Sequence, residues 1–226
     1  MSARACPQTS VGFSSLALTN STTVRIYPVV SKGEQTRDRI VERAWQLASR
    51  DGLSGLSIGK LALELGLSKS GLFAHFGSKE GLELEVLKAA AEHFTDTVMR
   101  PAFAAPRGLA RLRRLFKGWL AWTTDPARPG GCVLYAAGVE LDDGEGPQRD
   151  FLVGAQASMA AAVAKSARLT VETGEFRADL DCEQFAFEML GIVMVYQHAR
   201  RLLRDPKADL RAKLAFERLV SNSAAT

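Results

Sequence analysis

Residues 57–82 read "SIGKLALELGLSKSGLFAHFGSKEGL". Ser57 stands before an apolar set, Ile58, Leu61, Ala62 and Leu65, spaced i, i+3, i+4, i+7, so it is placed to cap a short helix. Gly66 ends that helix after two or three turns, and Ser68 opens a second short helix that closes near Phe76. Gly77 and Ser78 restart the chain. Ser78 caps a long helix carrying Leu84, Leu87, Ala91, Phe94 and Val98, which Pro101 stops or kinks. Two short helices about a tight glycine turn make a helix-turn-helix, the unit that lays its second helix in the major groove of DNA. That second helix covers roughly 69–75. Its first turn bears small or polar groups, which allow a deep approach, and its free amides favour phosphate. Leu67, Leu72 and Phe76 face the core.

Working outward, residues from Thr36 carry Ile40, Ala44, Leu47 and Ala48 on one helical face, and "RDG" at 50–52 stops that helix. Downstream the pattern stays helical. Helices are expected over 107–124, 132–141, 148–173 and 182–204, and from Pro206 to about Val220. The breaks fall at "DPARPGG", at "DDGEGP" and at Asp205–Pro206. The run "GIVMVY" could pass for a strand, but its neighbours keep helical spacing. The expectation is an all-α chain of about nine helices.

Three regions follow: residues 1–31 as a disordered extension rich in Ser and Thr, 32–79 as the helix-turn-helix domain, and 80–226 as a helical domain for ligand binding and dimerisation. The alternative for the extension is an arm that brings Arg4 or Arg25 to a polyanion. It lacks an apolar stretch of signal-peptide length, so a cytoplasmic protein is expected.

Composition sets the outer bounds. The chain has 226 residues, 46% hydrophobic and 24% charged, with a formal net charge of +4, as ordinary globular proteins do. No apolar run reaches membrane-spanning length. The charge permits a polyanionic partner without demanding one. Cys6, Cys132 and Cys182 are odd in number and scattered, which reads most simply as free thiols in a reducing compartment and offers no zinc spacing; no metal and no cofactor are expected. Cys132 fits a buried core thiol, with a sensor thiol as the sharper reading. His75 has no nucleophile or orienting acid near it in sequence, so no catalytic residue and no enzyme activity are assigned.

The stretch "TRDRIVERAWQLASRDGLSGLSIGKLALELGLSKSGLFAHFGSKEGL" resembles the N-terminal domain of the TetR family of bacterial transcriptional repressors. It carries that family's run of Gly, Ser-x-x-x-Leu-aromatic-x-His-Phe and Ser-Lys-x-x-Leu over about residues 34–84. The resemblance implies that Ser57 touches a phosphate while capping its helix, and that Ser68, Lys69, Ser70 and Gly71 face base edges. Lys69 could equally clamp a phosphate. His75 would contact a phosphate or support the helix, and Lys79 would neutralise one. Phe73 stands where the family usually has Tyr, so the hydroxyl contact to phosphate is absent and packing remains.

In the second domain Phe116, Trp119, Trp122, Tyr135, Met159, Met189 and Tyr196 are the candidates for a roomy apolar ligand pocket between helices. Tyr196, Gln197 or His198 would serve as polar handles. The helix at 182–204 has two apolar faces, and one of them, with the last helix, suits a two-fold dimer. The expected partners are double-stranded DNA with a palindromic operator, a small and largely apolar effector, and a second copy of the chain. The expected function is a repressor released by that effector. The alternative is an effector-binding helical protein that does not repress, either a sequestering protein or an activator.

Overall fold

The structure is a computed structural model and describes residues 31–128 and 130–225. The 1–31 extension, all but Ser31, lies outside the described residues. From residue 32 onward the chain forms one compact unit.

The local signals of the opening stretch appear as expected. Helix α1 (Lys32–Asp51) leads into α2 (Ile58–Leu65) and α3 (Lys69–Phe76). The Ser57 hydroxyl accepts a hydrogen bond from the Lys60 amide, and the Ser68 hydroxyl one from the Gly71 amide. Each satisfies one of the amides a helix start leaves open. Gly66 sits at φ 67°, ψ 30°, and the Leu67 amide bonds back to the Ala62 carbonyl at 2.9 Å. That left-handed stop turns the chain between the two helices, and a Cβ at Gly66 would be strained.

Helix α4 is continuous over 79–104, as Lys79–Phe94, a π-helical turn Thr95–Met99, and Arg100–Ala104. Pro101 therefore neither stops it nor breaks it. Proline has no amide to donate and its ring crowds the carbonyl four residues back. The π-turn, where the Arg100 amide reaches the Thr95 carbonyl, offsets the register just before the ring and lets the helix run on for one more turn.

The remaining helices are α5 (Leu109–Thr123), α6 (Val133–Glu140), α7 (Pro147–Glu172), α8 (Cys182–Arg201) and α9 (Ala208–Ser223). The fold is all-α with nine helices among the described residues. No strand forms there; a single antiparallel bridge joins Phe176 and Ala224. Helix α8 ends three residues before the expected 204. Arg204 takes a left-handed φ of 50°, and the Asp205 amide bonds to the Ala199 carbonyl.

One contiguous core joins the helix-turn-helix to the rest. Ile40, Ala44, Leu61, Leu72, Leu82 and Val86 are fully buried in the N-terminal part, and Leu112, Leu115, Val163, Phe185 and Met189 in the C-terminal part. Each such leucine contributes on the order of 2–3 kcal/mol. Leu67 and Phe76 pack against this core while partly exposed. Helices α7, α8 and α9 pack in sequence, and α4 bridges α1 to α7. No helix among the described residues is long and apolar enough to cross a membrane.

Candidate nucleic-acid interface and ligand cavity

Helix α3 buries Leu72 and leaves Ser68, Lys69, Ser70, Phe73 and Ala74 exposed. Its outer edge is thus the small, polar first turn that the sequence predicts. Within that edge the roles divide. The Ser68 hydroxyl is committed to capping and lies 3.1 Å from the Ser70 hydroxyl. Ser70 and Gly71 follow on the first turn. Phe73 keeps 42% of its surface exposed, unusual for a phenylalanine with nothing to cover it. His75 is half-buried with its ring beside Phe76.

The cations of this head are fewer in effect than in number. Arg37 pairs with Glu85, Arg43 with Glu64 at 2.7 Å, and Arg50 with Asp51 at 2.7 Å. Lys79 donates to the Ser54 carbonyl at 3.1 Å and lies 3.4 Å from Glu83. Its ammonium, for which the family resemblance implies a phosphate contact, braces the α1–α2 loop in this structure. Lys60 and Lys69 carry no ion pair among the described residues. A Cβ placed on Gly59 would lie 3.1 Å from Lys69 Cε and 3.9 Å from Ser57 Oγ. The Lys69 side chain therefore crosses to the N-terminus of α2, where open amides and the helix dipole already favour an anion.

In the second half, a cavity of about 310 Å³ opens between α4, α5, α6, α7 and α8. Trp119, Tyr135 and Met159, three of the candidates, line it together with Phe94, Cys132, Leu134, Gln156, Val193 and Gln197. Phe116, Trp122, Met189 and Tyr196 do not. Phe116 stacks on Phe216 with ring centroids 4.1 Å apart, and Trp122 stacks on Trp45 at 6.0 Å. Met189 is fully buried in the core. The Tyr196 hydroxyl donates to Asp209 at 2.8 Å and ties α8 to α9; burial, then that carboxylate, pushes its pKa upward. Gln197, named as a possible handle, holds the Cys132 peptide by accepting from its amide at 3.1 Å and donating to its carbonyl at 3.4 Å. The Gln156 amide donates to the Leu134 carbonyl at 3.2 Å. The Cys132 thiol is buried, which pushes its pKa up and keeps it protonated.

Helix α6 links the two regions. Leu134 and Tyr135 at its start line the cavity. Glu140 at its end accepts from the Leu53 amide at 3.0 Å and the Ser54 amide at 2.8 Å. Those amides belong to the loop leading into α2. Nearby, the Arg128 guanidinium lies 3.9 Å from the Trp122 ring centroid and 5.5 Å from that of Trp45, and pairs with Asp125. Glu140 was not identifiable from sequence, because Leu53 and Ser54 lie far along the chain; of the Arg128 contacts only that with Trp45 is distant, Asp125 and Trp122 being three and six residues away.

The α8–α9 surface is apolar and uncovered. Phe187 is 72% exposed, and Met194, Val195, Leu202, Leu203, Leu210 and Leu214 are also exposed.

The family model described as bacterial regulatory proteins, tetR family, matches residues 40–86, and the tetracyclin repressor-like C-terminal domain matches residues 108–216. No curated protein matches the chain. Solved structures do. A TetR-family transcriptional regulator from Cytophaga hutchinsonii is 20% identical with a TM-score of 0.77, over 87% of this chain and 98% of that one. A transcriptional regulator from Saccharomonospora viridis in complex with choline is 24% identical with a TM-score of 0.73, over 85% and 99%. AibR in complex with isovaleryl coenzyme A and operator DNA is 21% identical with a TM-score of 0.65, over 80% and 97%. At these identities the likeness is one of fold. With helix-turn-helix, helical domain and both family matches in agreement, the chain belongs to the TetR family of bacterial transcriptional regulators and carries that family's DNA-binding domain.

Proposed function

We propose that the protein is a homodimeric repressor, released from a palindromic operator by a small, neutral, largely apolar effector. The observation that carries this reading is the continuity of α6. One end of that helix lines the apolar cavity, and the other holds the loop that positions the helix-turn-helix.

On the DNA side, Ser70, Gly71 and the exposed face of α3 approach base edges. Lys69, Ser57 and the α2 N-terminus form a phosphate seat, which favours the clamp reading of Lys69 over base readout. Phe73 packs on the sugar–phosphate backbone, and Lys79 and His75 support the head. On the effector side, no charged side chain lines the cavity. No cationic group meets a coenzyme A phosphate and no carboxylate neutralises a cation; the rings of Phe94, Trp119 and Tyr135 are what a quaternary ammonium would meet, so the lining disfavours an anion and favours a neutral guest. On the dimer side, the exposed apolar residues of α8 and α9 face a second copy, as an isologous two-fold interface requires. Two heads on such a dimer read two half-sites in inverted repeat. An effector that prefers a dimer with mis-spaced heads lowers operator affinity, and a coupling of roughly 1–3 kcal/mol gives a 5- to 150-fold change. The protein acts in the cytoplasm, where its DNA lies.

A gel shift with the DNA upstream of the protein's own gene tests the reading. Retardation in two-fold symmetric steps is expected. A protein that binds apolar ligands and retards no DNA is a sequestering protein, and the proposal fails. Transcription that rises with added protein on that template identifies an activator.

A further inference from the structure

Two apolar hollows meet beside α4. One is the cavity already described, about 310 Å³. The other, about 280 Å³, lies between α4 and α7 against Met99, Phe103, Phe151, Ala155 and Ser158. Phe94, Leu134 and Met159 border both. Phe94 and Leu134 are each 2% exposed and fixed in the core, whereas Met159 is only partly buried. The movable part of the partition is thus one methionine, an unbranched side chain with three rotatable bonds that adapts to irregular space.

The two ends differ in chemistry. In the far hollow the hydroxyls are committed to their own helices: Thr95 donates to the Ala91 carbonyl at 2.9 Å and Ser158 to the Gly154 carbonyl at 2.8 Å. What remains there is hydrocarbon. In the near cavity Gln197 is occupied by the Cys132 peptide and the Gln156 amide nitrogen by Leu134. Gln156 is exposed and Tyr135 half-buried; the Gln156 side-chain oxygen and the Tyr135 hydroxyl have no protein partner among the described residues, so at the open side of the cavity one acceptor and one hydroxyl can exchange water for a small polar group. Neither hollow is lined by a charged side chain, and an anion brought there would lack the partner that offsets its desolvation. Thr95 and Met99, on the wall of the far hollow, belong to the π-helical turn of α4, a local widening that recurs where helices border ligands.

We infer that the two hollows form one channel gated by Met159, and that its ligand is a neutral straight-chain amphiphile such as a long-chain alcohol, amide or ester. The head group lies at Gln156 and Tyr135, and the tail runs past Met159 toward Phe103. The inference rests on the reading of the near cavity as the effector site.

Calorimetric titration of the full chain with straight-chain primary alcohols, from hexanol to tetradecanol, tests it. Each methylene buried strengthens binding about fourfold. In the wild type the affinity keeps climbing through the longest chains. In Ala155→Phe, which fills the far hollow, short alcohols keep wild-type affinity and the climb stops early. Ala155→Leu gives the same comparison with a milder change should the larger ring prevent folding, and a thermal melt of each variant checks that it folds. A wild-type series that levels off at the same chain length as Ala155→Phe overturns the channel and leaves the near cavity as a site of its own. A series in which no alcohol binds overturns both the channel and the cavity reading beneath it.

Discussion

Lys69 and Lys79 stand ten positions apart in one motif, yet their surroundings differ. Lys69 lies over the α2 N-terminus with no acidic partner, and Lys79 is held by Ser54 and Glu83. Lys69→Ala should therefore lower DNA affinity on every sequence and reduce the slope of log affinity against log salt by about one unit. Lys79→Ala should change that slope less and loosen the α1–α2 loop instead. Equal slopes for Lys69→Ala and wild type would show that Lys69 meets no phosphate. At Phe73, restoring a hydroxyl with Phe73→Tyr should tighten operator binding by roughly 0.5–1.5 kcal/mol, read by fluorescence anisotropy. Unchanged or weaker binding would place the ring away from the backbone. The serine caps at 57, 68 and 78 were legible because a cap and its amide lie within three residues. The Ser54 carbonyl that Lys79 reaches was not, because it lies 25 residues away, whereas Glu83 stands at the ordinary i+4 spacing.

Among the elements, α6 carries the link between cavity and head. Its eight residues give the apolar pattern of a buried helix, but nothing in them foretells that Glu140 bonds to residues 86 and 87 positions earlier. A hydrogen bond to a carboxylate contributes about 1.5–3 kcal/mol. Glu140→Ala should thus speed hydrogen exchange at the Leu53 and Ser54 amides by tenfold or more, measured by NMR. Unaltered exchange would remove Glu140 as the link. The same limit explains the cavity. Aromatic and methionine residues on apolar stripes pointed to Trp119, Tyr135 and Met159, but the same residue types at Phe116, Trp122, Met189 and Tyr196 pack or bond elsewhere. Phe116 and Tyr196 border a separate hollow lined also by Arg113, Lys117, Asp209, Lys213 and Glu217, and Trp122 borders another; periodicity marks what turns inward and does not say which hollow, if any, a residue borders. Gln156 and Gln197 had only their polarity within apolar helices to mark them. Helix α4 shows the converse: Pro101 is visible in sequence and reads as a stop or kink, whereas the π-turn just before it lets the helix continue.

At the scale of the whole molecule, the proposed dimer rests on the uncovered apolar residues of α8 and α9. Phe187→Asp should place a charge in that interface and yield monomers in sedimentation at concentrations where the wild type is dimeric, with operator affinity falling by an order of magnitude or more because two half-sites are no longer joined. A dimer that survives the substitution would put the interface elsewhere. The all-α architecture and the helix-turn-helix were both readable from spacing, caps and glycines, since helical signals are local. The central claim is that α3 and the α2 N-terminus seat the protein on operator DNA through phosphate and groove contacts. Its most direct test is the affinity for the upstream DNA across a salt series. The account predicts a steep linear fall of log affinity with log salt, on the order of 0.9 per phosphate neutralised. A flat response, or no binding to that DNA at low salt, would contradict it.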